Sequence, residues 1–354
     1  MATQRIKAGI LGIDGCGAAL TEAVRSCASI DLIALADRNR DLAKARAAEV
    51  GVEPYDDYRS LVVEQPIDAL FVSAPPFACH EHLKLAASRG IHVWRETPLA
   101  RNVQEASALL EAFEAGGARL AVARGWHVTA EGAGITDLCD LIGRPYVARG
   151  VALEHRSDPL GWRGDGDRAG GGALIDRAYE LVDAVVQKMR LPDEVQATTA
   201  RRSGTQPYDT EDVASVTLRY QNGSMATILA HRRAWPETWS LIFDGPTGSL
   251  RLEPSRAAVL APDGAETRSS HATAESTYHA QVEAFAQALL AGAKTVPSAA
   301  ATHLSTVGVI ETAYLSARTG EPESPQQLYH LHDLPTPSLA DVEQDEAEEQ
   351  PEQA

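Results

Sequence analysis

Only 4 of the 354 residues are cysteine, 5% are aromatic, and 32 basic residues face 49 acidic ones, a formal net charge of −17. Each shortage excludes something. Cys16, Cys27, Cys79 and Cys139 form no C-x-x-C pair and no dense framework, so neither a disulfide scaffold nor a metal ligand set is expected, and the chain reads as reduced and cytoplasmic. The deficit of Lys and Arg argues against a nucleic-acid partner, because neutralising phosphates needs clustered cations. No run reaches about 18 uninterrupted apolar residues, so no membrane helix is expected. Residues 1–8 lead straight into a strand-like run without a signal-peptide pattern.

What is present fits a soluble globular chain: 44% hydrophobic and 23% charged residues, at a length that suggests two domains. Part of the acidity is local, since residues 341–354 hold seven acids and no base. Residues 335–354 therefore read as an acidic, disordered tail.

From Lys7 to about Ala123, short apolar runs alternate with helical patterns. Ala8–Gly12, Leu32–Ala36, Ala69–Ser73, Ile91–Trp94 and Leu120–Ala123 are continuous rather than alternating, as in strands covered on both faces. The expected fold of residues 1–124 is an α/β, Rossmann-type doubly wound parallel sheet. Residues 125–334 read as an α+β domain with a largely antiparallel open sheet. A helix is expected over Ala173–Met189, and a hairpin where Asn222-Gly223 separates Val213–Tyr220 from Met225–Ala230. Trp126, Trp235 and Trp239 are expected to pack or to lie at interfaces.

The first strand runs into Gly12-Ile13-Asp14-Gly15-Cys16-Gly17 and then a helix. This is a G-x-G-x-x-G turn with Asp14 at its middle glycine, a position that normally lets backbone approach a pyrophosphate. Asp14 either opposes the phosphates or turns outward as a cap. Asp37 stands 20 residues past Gly17 at the end of the second strand, where a ribose acceptor belongs. The neighbouring Arg38 is either a 2′-phosphate partner or a surface charge. The expected cofactor is NAD or NADP, with NAD slightly favoured.

Further landmarks follow in order: Ser73-Ala74-Pro75-Pro76 with His80, "HVWRETPLA" at 92–100, "GWR" at 161–163 and "GGGALIDRAYELVD" at 170–183. The series resembles the Gfo/Idh/MocA family of glucose-fructose oxidoreductases and inositol dehydrogenases. The resemblance implies a dinucleotide in the first domain, held near Gly12, Asp14, Gly15, Gly17, Asp37, Arg38, Ser73, Pro75, His80 and Glu96. It also implies a small polyol or sugar-like ligand in the second domain, with Asp176 on the glycine-rich helix, and oligomer contacts through the second-domain sheet.

Two further departures bear on chemistry. The family's Glu-Lys-Pro is here Glu96-Thr97-Pro98, and its proton-transferring histidine is here Glu180. Removing a hydroxyl proton needs a base that titrates near the working pH, and an ordinary carboxylate is weak. Glu180 is open to upward tuning by burial or by Asp176 at i,i+4, and Tyr179 offers a hydroxyl on a neighbouring face. Trp162 and Arg163 read either as a ligand clamp or as packing plus a surface charge. The sequence favours a divergent, non-catalytic partner subunit, associated with itself or with an active relative. Its alternative is an active oxidoreductase of sugars, cyclitols or glycosides using Asp176, Glu180 and Tyr179.

Overall fold

The computed structural model describes residues 5–125, 135–156, 160–201, 208–271 and 273–337. Trp126 and residues 338–354, most of the acidic tail, lie outside them.

The first half alternates β1 (Ile6–Leu11), α1 (Cys16–Ser26), β2 (Ile30–Ala36), α2 (Arg40–Val50), β3 (Glu53–Tyr55), α3 (Tyr58–Glu64), β4 (Ala69–Val72), α4 (Pro76–Ser88), β5 (His92–Arg95), α5 (Val103–Gly116) and β6 (Leu120–Val122). Its six strands pair in the order β3-β2-β1-β4-β5-β6, and every pair is parallel. The order reverses between β1 and β4, which opens a crevice at the carboxyl ends of the strands, where such sheets bind ligands. Local chemistry sets the helix starts. Asn39 Oδ1 accepts the Leu42 N–H at the start of α2, Asp57 accepts from Arg59 and Ser60 at α3, and Pro76 opens α4.

The chain continues through α6 (Ile135–Asp140), β7 (Val147–His155), α7 (Gly166–Ala169), α8 (Ala173–Arg177), α9 (Tyr179–Met189), β8 (Glu194–Ala200), β9 (Val213–Arg219), β10 (Met225–His231), β11 (Arg233–Gly245), β12 (Gly248–Glu253), β13 (Arg256–Leu260), β14 (Glu266–His271), α10 (Ala274–Leu290), α11 (Ala300–Thr319) and α12 (Pro325–Leu331). The eight-stranded sheet runs β14-β13-β12-β11-β7-β10-β9-β8 and is antiparallel except for the β7/β10 pair. The Asn222-Gly223 hairpin forms with Arg219 opposite Met225, and Gly223 takes φ 84° at its tip.

Two elements depart from the sequence reading. The expected helix over Ala173–Met189 is broken at Ala178, whose φ −110° and ψ 6° end α8 and start α9. The chain also returns to its first compact unit, which comprises Met1–Ala100, Glu105–Arg124 and Glu275–Ala301, so α10 joins the parallel sheet rather than the second unit. Tertiary packing decides this. Phe285 lies edge-on to Phe71 of β4 with centroids 5.9 Å apart, and Tyr278 packs against Trp94 of β5 at 6.3 Å. Val282, Phe285 and Ala286 are buried with the sheet residues. Phe285→Ala should cost about 3–5 kcal/mol through transfer and cavity terms, read as a loss of stability in urea denaturation.

Candidate functional site

In the first unit the glycine turn is packed tightly on one side. A Cβ at Gly12 would lie 2.6 Å from the Ala74 nitrogen, and one at Gly17 would lie 2.4 Å from the Gly12 carbonyl oxygen. Gly15, at φ 57°, faces open space at the start of the 11-residue helix α1. Backbone N–H groups at such a helix start suit phosphate oxygens, so the turn fits a dinucleotide pyrophosphate. Asp14 is exposed, and its Oδ1 accepts the Gly15 N–H at 2.8 Å. It thus turns outward while occupying one donor of the cradle.

Asp37 lies at the end of β2 with both oxygens engaged, Oδ2 by the Ile13 N–H at 3.0 Å and Oδ1 by the Asn39 N–H at 2.8 Å. Besides standing where a ribose acceptor belongs, it ties the glycine turn to the β2–α2 loop, a role the motif spacing does not reveal. Arg38 is exposed beside it. Ser73 follows β4, with its Oγ 3.7 Å from the Cys16 Sγ, and Pro75 caps α4. His80, one turn into α4, is half-buried, and that burial lowers its pKa despite the opposing pull of Glu105 and Glu81. Glu96 and Thr97 follow β5 in a loop held by the buried Arg95, which donates to the carbonyls of Glu96 (3.0 Å) and Leu99 (2.7 Å). Sequence reasoning missed Arg95, because a lone arginine at a strand end reads as surface charge.

In the second unit, Asp176 Oδ1 accepts from Arg163 Nε at 3.0 Å, and Arg156 Nη2 lies 4.0 Å from Oδ2. The Arg163 guanidinium stacks over the Trp162 ring at 4.4 Å, so the "GWR" motif forms an arginine shelf facing Asp176. Glu154 sits between Arg156 and Arg177, 3.3 Å from each. Another residue the sequence did not reveal holds the glycine-rich turn. Glu211, nearly buried, accepts the N–H groups of Gly172 (2.7 Å) and Leu174 (2.9 Å) and the hydroxyl of Tyr314 (2.9 Å). A side chain at Gly172 would strike the Glu211 carbonyl oxygen at 2.2 Å. Burial raises the pKa of Glu211, while the donated hydrogen bonds pull it back.

Glu180 opens α9, and its Oε1 accepts the Gly125 N–H at 3.3 Å. Burial pushes its pKa above the usual glutamate value; Asp183 adds to the rise, and Gly125 and Arg177 oppose it. The acid that tunes it is Asp183, not Asp176. The break at Ala178 removes the i,i+4 relation, and Asp176 is engaged by arginine instead. Tyr179 does not fit the expected relay. It is 2% exposed, with its hydroxyl 3.4 Å from His303 Nδ1, and His303 in turn lies 3.4 Å from Asp183. These three belong to a buried network between α9 and α11.

Comparison with known proteins agrees with this architecture. The model described as "Oxidoreductase family, NAD-binding Rossmann fold" matches residues 6–124, and the GFO/IDH/MocA C-terminal domain matches residues 140–251. A D-xylose 1-dehydrogenase (NADP(+)) of Haloferax volcanii is 28% identical over 88% of this chain and 97% of that protein. A levoglucosan dehydrogenase solved with NADH superposes with a TM-score of 0.83 at 21% identity, over 91% of this chain and 99% of that one. An Agrobacterium radiobacter oxidoreductase solved with NAD+, L-tartaric acid and magnesium gives 0.79 at 18%, over 92% and 100%. No helix among the described residues is long and apolar enough to cross a membrane. With a dinucleotide-type glycine turn in its parallel sheet and both family domains matched in order, the chain belongs to the Gfo/Idh/MocA oxidoreductase family.

Proposed function

We propose that this protein is an NAD-dependent oxidoreductase of a polyhydroxylated, sugar-like substrate, with Glu180 as the general base and Asp176 binding a substrate hydroxyl. The observation that carries this reading is the placing of Glu180 at the start of α9, where its Oε1 accepts the Gly125 N–H and burial raises its pKa, at the position where the family resemblance puts a histidine. The expectation of a non-catalytic partner rested on the missing lysine and histidine. A carboxylate made more basic by burial restores the proton-accepting capacity whose loss suggested inactivity. The dehydrogenase names of the relatives support the same substrate class.

A dinucleotide held at the glycine turn and Asp37 would supply the acceptor for the hydride that leaves the alcohol carbon. Glu180 takes the hydroxyl proton and ends as the neutral acid, the form its burial favours. Asp176, fixed by Arg163, accepts a hydrogen bond from a neighbouring hydroxyl. Thr97 contributes a neutral hydroxyl where relatives place a cation. The Asp37 carboxylate favours ribose hydroxyls over a 2′-phosphate, which supports NAD over NADP. The exposed Tyr146, Met225 and Leu229 around β7 and β10 support association of the second-domain sheet with another copy or an active relative.

Asp14 and the pyrophosphate compete for the N–H groups at the start of α1. Asp14→Gly should therefore tighten NADH binding by about 1 kcal/mol, roughly fivefold, in a fluorescence titration. Weaker binding would show that the carboxylate supports the bound state instead.

Catalysis carries its own test. Wild-type protein should oxidise sugars or polyols with a turnover number on the order of 1 per second. The oxidation rate should fall as the pH drops through the Glu180 pKa, because protonation removes the base, and this limb should lie above the ordinary glutamate range. Glu180→Gln should lower kcat by about a hundredfold or more and abolish that limb. A wild type that binds NADH but turns over no sugar or polyol would return the partner-subunit reading.

A further inference from the structure

The surroundings of Asp176 gather three arginines, more guanidinium groups than a neutral polyol requires. Arg156, Arg163 and Arg177 lie among Glu154, Asp176 and Glu180, three cations brought together in a chain whose overall charge is −17. The hydrogen-bonding capacity of these arginines is only partly used. Arg163 spends its Nε on Asp176, and among the described residues its two Nη atoms make no hydrogen bond, although the side chain is only 33% exposed. Arg177 contributes an ion-pair distance of 3.3 Å to Glu154 and no hydrogen bond among the described residues. Among the described residues the buried Asp176 Oδ2 accepts no hydrogen bond, and Arg156 Nη2 lies 4.0 Å from it.

The cluster therefore offers unused guanidinium forks that call for an anionic acceptor, beside an unused carboxylate oxygen that calls for a hydroxyl donor. A ligand that satisfies both carries a carboxylate and hydroxyl groups on one short chain. Guanidinium forks match carboxylates in a bidentate way, and the Trp162 ring beneath Arg163 holds one fork in place. We propose that the substrate is a sugar acid, a polyhydroxy carboxylate of the aldonate or uronate class, with its carboxylate on Arg163 and Arg177 and a hydroxyl on Asp176. This rests on the reading of Asp176 as part of the substrate site.

The test is calorimetric titration of the full-length protein, saturated with NADH, with D-glucuronate and D-gluconate against D-glucose and D-xylose, accompanied by turnover assays with NAD+. The acids should bind at least tenfold more tightly than the neutral sugars, with the margin shrinking as salt is raised. R163Q should remove most of that preference, while R163K, which keeps charge but not the fork, should retain part of it; melting temperature and NADH affinity control for folding. Equal or tighter binding of the neutral sugars, or an unchanged preference in R163Q, overturns the proposal. If neutral sugars are bound and oxidised without an acid preference, the oxidoreductase reading survives and only this inference falls. If acids are preferred but never turned over, this inference stands and the catalytic reading falls. Binding of neither class overturns both.

Discussion

Three consecutive buried polar residues, Thr210, Glu211 and Asp212, fix the surroundings of Arg163 and Asp176 in the second unit. The Thr210 hydroxyl donates to the Arg163 carbonyl at 2.8 Å, Glu211 gathers the turn before α8, and Asp212 pairs with the fully buried Arg232 at 2.9 Å and with Arg233 at 3.3 Å. Arg232 closes the circuit by donating to both the carbonyl and the hydroxyl of Thr210. A charge in such a place is tolerated only while its partners remain, and removing one partner of a buried pair typically costs about 3–5 kcal/mol. The positions of Arg163 and Asp176 therefore follow from a segment that itself need touch no ligand. The turn glycines have the same origin, since the Glu211 backbone and the Tyr314 hydroxyl occupy the space that side chains at Gly172 and Gly171 would take.

The cofactor half relies on packing of a different kind. Continuous apolar strands bury β1 and β4 completely enough that Gly12 and Gly17 meet backbone atoms at contact distance, and Asp37 then locks the turn by accepting the Ile13 N–H. This rigidity explains how an acid is accommodated at the middle position of the turn. Asp14 is exposed and bonds only locally to Gly15, so it leaves the tight face of the turn unchanged and acts on the open one. On the proposed reading its effect falls on dinucleotide affinity rather than on the fold.

The parallel sheet, its glycine turn and the placing of Asp37 at the end of β2 were legible because their signals are local: apolar runs, a glycine turn and an acid at fixed spacing. The hairpin at Asn222-Gly223 was legible for the same reason. The rest depends on distant partners. The placement of α10 with the first unit follows from Phe285 meeting Phe71, more than two hundred residues away in sequence. "TED" at 210–212 has the composition of a solvated loop, and only the structure shows it buried. The break at Ala178 was hidden because alanine is the strongest helix former, so nothing in the residue itself announces the turn of backbone that separates Asp176 from Glu180.

That break has a chemical consequence. On one continuous helix, Asp176 and Glu180 would share a face and compete, each raising the proton affinity of the other. With the helix divided, Asp176 is committed to guanidinium partners and held ready as a hydrogen-bond acceptor. Glu180 is left to burial and Asp183, which make it a stronger base. Two carboxylates four residues apart thus receive opposite treatment, one surrounded by cations and one by low-dielectric protein. On the proposed reading, the first environment serves binding and the second proton transfer. A histidine reaches neutral-range basicity by its own chemistry, whereas a glutamate needs such an environment. The basicity of Glu180 therefore comes from its surroundings, burial and Asp183, rather than from the side chain itself.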